Sequence, residues 1–70
     1  MKPGTRVRMS ARLKSMLIPG SAEHVAEFGD CVGIVQGLTD YGSRQGPEVD
    51  VRWQPSNLRY AYHPDELEPV

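Results

Sequence analysis

Seventy residues carry 8 basic and 9 acidic side chains, a formal net charge of −1, with 39% hydrophobic and 24% charged residues. That composition is globular, and it excludes both a disordered tail and a binder that relies on basic excess alone. A chain this short buries only roughly 60% of its unfolded surface, so one small domain is expected and a deep catalytic cleft is not.

The chain opens with Met1-Lys2-Pro3-Gly4 and no apolar run behind it, so no signal peptide is expected. Thr5 to Met9 alternates. Val7 and Met9 fall on one face and Arg6 and Arg8 on the other, which predicts a half-buried strand. Ser10 is a good helix N-cap for the segment Ala11 to Ile18, in which Leu13 and Leu17 share a face, and Pro19-Gly20 stops it. Packing decides between a two-turn helix and an ordered loop. The stretch Leu13 to Ile18 is too short to span a membrane and contains Lys14. Ser21 can cap one further helical turn through Glu23, His24 and Val25, after which Gly29-Asp30 reads as a turn. Val25 and Phe28 are placed to plug the end of the fold together.

Cys31 to Gln36 reads as a strand, with Gly33 marking a bend or a close backbone approach. Cys31 is the only cysteine, so no internal disulfide can form, and a reducing, cytoplasmic compartment is expected. Gly37 to Pro47 is a polar loop. Glu48 to Trp53 is the clearest strand, with Val49, Val51 and Trp53 on one side and Asp50 and Arg52 on the other. Gln54-Pro55-Ser56-Asn57 turns the chain, with Pro55 at the second turn position, and Leu58 to Tyr62 returns. A two-residue tip at Pro55-Ser56 sets Trp53 opposite Leu58, Val51 opposite Tyr60 and Val49 opposite Tyr62, three apolar pairs on one face. His63 to Leu67 then predicts one 3₁₀ turn. Leu67 to Val70 can form a last strand, which Pro69 confines to a sheet edge. The acidic end, Asp65, Glu66 and Glu68, complements the basic start, Lys2, Arg6, Arg8, Arg12 and Lys14, so the two ends are expected to attract each other.

The order of these elements resembles the SH3-like small barrels, including the KOW-type and Mib/Herc2-type domains. Three stretches carry the resemblance: Gly4 to Met9, Gly29 to Val35, and the run from Val49 to Trp53 through Tyr62 to Glu68. Compact chains of this style also resemble small phage or prophage products. The resemblance implies an all-β, SH3-like barrel of about five strands, with one or two short helical segments between the first two. Such barrels host protein, peptide and nucleic-acid binders, so the fold alone does not select among these.

Few residues here suggest catalysis. Cys31, His24 and His63 show no metal-ligand spacing, so no metal or cofactor is expected. Cys31 and His63 could meet as a nucleophile and base, but Asp30 beside Cys31 opposes thiolate formation, and a small buried cysteine is the simpler reading. Glycines 29, 33 and 37 match no phosphate loop, and the adjacent acids Asp65 and Glu66 read as a solvated end rather than a catalytic pair. The hairpin register sets Arg52 directly opposite Arg59, a destabilising arrangement that Asp50 on the diagonal could relieve. Tyr41, with Arg44 near it in the polar loop, suits base stacking, or else folds back on the rim. Trp53, Tyr60 and Tyr62 are expected in the core.

The expectation is therefore a non-catalytic, cytoplasmic binding or adaptor domain. Its protein partner, or a second copy of itself, would dock on Leu13, Met16, Leu17 and Ile18, which exceed what a small core needs. The alternative is nucleic-acid binding through Arg6, Arg8, Tyr41, Arg52 and Arg59. A local basic patch can act within a neutral protein.

Overall fold

A computed structural model describes residues 2–15, 21–42, 44 and 46–70. Five strands form one antiparallel sheet: β1 (Arg6–Met9), β2 (Gly33–Thr39), β3 (Glu48–Trp53), β4 (Arg59–Tyr62) and β5 (Leu67–Pro69), in the order β4-β3-β2-β1-β5. Two helices, α1 (Ala11–Lys14) and α2 (Ser21–Phe28), connect β1 to β2, and a 3₁₀ turn (Pro64–Glu66) precedes β5. The chain is thus mostly strand with two short helices where one or two were expected. Among the described residues β4 and β5 do not pair, so the sheet is open and barrel closure is not among its pairings. Among the described residues no helix is long and apolar enough to cross a membrane.

Alternation in the sequence fixes which face of the sheet is buried. Val7, Met9, Val49, Val51 and Trp53 are fully buried, while their chain neighbours point outward. The hairpin register is as expected: Val49 pairs with Tyr62, Val51 with Tyr60 and Arg52 with Arg59. The Trp53 amide donates to the Leu58 carbonyl at 2.9 Å and the Asn57 amide to the Trp53 carbonyl at 2.8 Å. The Gln54–Pro55 peptide is cis and Asn57 has φ 62°.

Two core expectations need correction. Tyr60 and Leu58 remain 42% and 45% exposed, because β4 is an edge strand and lacks a neighbour to cover its far side. Leu13, expected at an interface, is instead 7% exposed and belongs to the core with Phe28, Val35 and Leu67. Met16, Leu17, Ile18 and the Pro19-Gly20 stop lie outside the described residues.

α1 is a single turn fixed by its cap. Ser10 Oγ accepts from the Leu13 amide at 3.2 Å and donates to the Asp65 carbonyl at 3.1 Å, while the Ser10 amide donates to the Glu66 carbonyl at 2.9 Å. Leu13 is thereby turned inward. α2 runs for eight residues rather than the single turn expected, because Phe28, Val25 and His24 all find packing partners. Phe28 stacks on Trp53 with ring centroids 5.8 Å apart.

Trp53 in turn needs Gly33. A Cβ at Gly33 would lie 2.3 Å from Val51 Cγ1 and 2.9 Å from Trp53 Cε3, so only hydrogen fits there. The expected attraction between the chain's ends is also present. Arg8 Nε bonds Glu68 Oε1 at 2.7 Å, and Arg12 pairs with Asp65.

Candidate functional site

The outward face of β2, β3 and β4 holds the residues with unspent chemistry. β2 starts at Gly33 rather than Cys31 and continues to Thr39, taking in what the sequence suggested was loop. It does so through a bulge: Val35 pairs with Val51, but Gly37 pairs with Asp50, leaving Gln36 extra. Asp50 is therefore flanked across the sheet by Gly37 on one side and Ala61 on the other. Two neighbours with little or no side chain leave it standing in a trough. The trough is a groove of about 460 Å³, also lined by Gln36, Thr39, Tyr41 and Arg59.

Among the described residues the Asp50 carboxylate forms no ion pair with the opposed arginines. Its Oδ2 accepts from Thr39 Oγ1 and its Oδ1 from the Tyr41 hydroxyl at 2.8 Å. Tyr41 thus folds back to the sheet by its hydroxyl yet keeps its ring 58% exposed. The bond to Asp50 holds the phenol proton and pushes the Tyr41 pKa up.

One row away lies the arginine set. Arg6 pairs with Ile34, Ile34 with Arg52, and Arg52 with Arg59. All four point away from the core, so three arginines and one isoleucine form a straight line across four strands. At about 4.8 Å per strand the line is roughly 14 Å long. Among the described residues no carboxylate forms an ion pair with Arg6, Arg52 or Arg59. Arg52 Nε is shielded from solvent and donates to none of the described residues. Arg8, expected in the same patch, is instead neutralised by Glu68 on β5.

The other candidates are kept apart. Cys31 Sγ contacts the Glu27 carbonyl at 3.6 Å, whereas His63 Nε2 lies 3.6 Å from Glu48 Oε1. Among the described residues no three His, Cys, Asp or Glu side chains converge as a metal set.

A second polar cluster escaped sequence reasoning. Trp53 Nε1 donates to the Tyr62 hydroxyl at 2.8 Å, and that hydroxyl also bonds His24 Nε2. The indole N–H is only a donor, so the Tyr62 hydroxyl accepts from it; a His24 ring bare at Nε2 accepts the hydroxyl's hydrogen, and one protonated at Nε2 donates to its oxygen. Burial lowers the His24 pKa, and the charges of Glu27 and Glu66 oppose that shift. Burial likewise raises the Tyr62 pKa. His24 also packs edge-on against Tyr60, with centroids 4.8 Å apart. Only its helical spacing from Phe28, four residues on, hinted at an inward position.

Compared with known protein families, curated proteins and solved structures, the sequence and its fold find no match.

Proposed function

We propose that this chain is a non-catalytic binding domain, of the SH3-like small-barrel kind, that holds single-stranded nucleic acid on its outer sheet face. The arginine row carries this reading. Like charges set opposite one another across strands destabilise a sheet, and among the described residues no ion pair offsets that cost. An acceptor that removes the repulsion gives the row a use. Phosphates at nucleotide spacing match a line of guanidinium groups, and Arg binds phosphate through paired N–H donors. Ile34 between Arg52 and Arg6, and the exposed Tyr41 ring beside Arg59, offer apolar surface for sugar and base. The open, shallow face suits a flexible strand better than a duplex. The alternative of protein binding through Leu13, Met16, Leu17 and Ile18 loses its first residue to the core.

Fluorescence anisotropy with an 11-nucleotide single strand, repeated across salt concentrations, tests the proposal. Three phosphate contacts predict that log K falls against log salt with a slope of about −2, and that Arg52→Gln or Arg59→Gln makes it shallower by about 0.7. Absence of saturable binding at low salt, or a slope indifferent to both substitutions, would overturn it.

A further inference from the structure

We infer that the trough around Asp50 reads a guanine base in the single strand held by the arginine row. This rests on the function proposed above and adds a base preference to it. Three observations bear on it.

First, Asp50 is an acceptor standing in open space. Gly37 and Ala61 leave room on both sides of it, and the groove of about 460 Å³ is of a size to admit a base. Second, the carboxylate is held in place and only half used. An ionised carboxylate has about four lone-pair sites. Among the described residues Thr39 and Tyr41 take one on each oxygen, so each oxygen keeps acceptor capacity for a further donor. Guanine alone among the common bases presents two adjacent N–H donors, N1–H and the N2 amino group, on its Watson–Crick edge. Adenine and cytosine offer one amino group next to an acceptor nitrogen, and uracil offers one N–H between two carbonyls. Each of these sets an acceptor against the carboxylate. Third, the spacing joins base to backbone. Arg59 lies two residues from Ala61 on β4, roughly 6.6 Å along the strand and on the same face. A nucleotide whose base enters the trough therefore places its phosphate on the arginine row. Tyr41, half turned to solvent, walls the trough with an aromatic ring on which the base can lie.

The test uses the intact chain and U-rich 11-mers with one central variable base, in ribo- and deoxyribo- forms, at one low salt concentration. The central G oligomer is expected to bind at least about fivefold tighter than the A, C or U oligomers. Inosine, which lacks the N2 amino group, should lose most of that preference. Asp50→Asn should bring all the oligomers to within about twofold of one another. Guanosine monophosphate alone is expected to compete only at far higher concentration, since a single phosphate cannot span the arginine row. Equal binding of every central base, with the salt slope intact, would sink the guanine inference and leave the nucleic-acid reading standing. So would a preference that survives Asp50→Asn. A mononucleotide that binds as well as the oligomer would overturn the single-strand assignment, and no binding by any oligomer overturns both.

Discussion

Removing one oxygen from Tyr62 tests whether the Trp53–Tyr62–His24 chain fastens α2 to the sheet. Tyr62→Phe keeps the ring and its edge-on contact with Trp53, at a centroid distance of 5.7 Å, and deletes only the hydroxyl. The Trp53 indole is fully buried, so its N–H loses its acceptor with no water to replace it. An orphaned buried donor costs about 1–3 kcal/mol. His24, half-buried, loses its partner too but can recover a water. A total near 2 kcal/mol compares with a stability of about 3.5–10 kcal/mol expected for 70 residues. At roughly 4–8 °C per kcal/mol, the melting midpoint should fall by about 8–16 °C. Thermal unfolding followed by far-ultraviolet circular dichroism measures the shift, and serves equally for variants without Trp53, the only tryptophan. A double-mutant cycle with Trp53→Phe should return a coupling of about 1 kcal/mol between the two side chains. A midpoint within about 2 °C of the wild type, or a coupling near zero, would show that the hydroxyl bonds hold nothing.

Four further outcomes are expected. Gly33→Ala should destabilise by about 1–3 kcal/mol and alter the near-ultraviolet circular dichroism of Trp53, since the new methyl meets both Val51 and the indole. Ser10→Ala removes the α1 cap and the bond to Asp65, and should cost about 1 kcal/mol in a urea titration. Arg59→Thr should do two opposite things: stabilise the hairpin by roughly 0.2–1 kcal/mol at low salt, and weaken oligonucleotide binding. A purely structural arginine would show neither. Because the His24 pKa is lowered on folding, the unfolded chain takes up the proton first. Stability should therefore be full above about pH 6.5 and fall as pH drops through and below that value. His24→Gln should flatten that part of the pH–stability curve, and an unchanged curve would place the titrating group elsewhere.

How much of this was legible beforehand depends on the range of the interaction. The β3–β4 hairpin follows from alternation and a turn a few residues long, so its register and the Arg52–Arg59 pair could be read directly. The Ser10 cap and the 3₁₀ turn at Pro64–Glu66 were equally local. Long-range features were not. Nothing near Arg6 announces that Ile34 will place it in line with Arg52, because that line needs two more registers. The bulge at Gln36 was hidden for the same reason: an extra residue on one strand shows only against its partner. Asp50 looked like a counter-ion because it is two residues from Arg52, yet the bulge brings Thr39 and Tyr41 to it first. Leu13 looked surplus because its helix was counted apart from the sheet, whereas Ser10 and the 3₁₀ turn pin it there.

The position of β1 between β2 and β5 sets the order in which the molecule can assemble. β2, β3 and β4 are successive in the chain and meet through short connections, so that meander closes small loops and can form early. β1 waits on both sides. Its first neighbour follows two helices, and its second, β5, is reached across a separation of 60 residues at Arg8 and Glu68. The strand that comes first in this sequence thus depends on partners that come later in it. The ion pairs Arg8–Glu68 and Arg12–Asp65 then act as a late clasp, drawing together two ends of opposite charge once the rest is in place. High salt should slow this last step more than it weakens the finished fold.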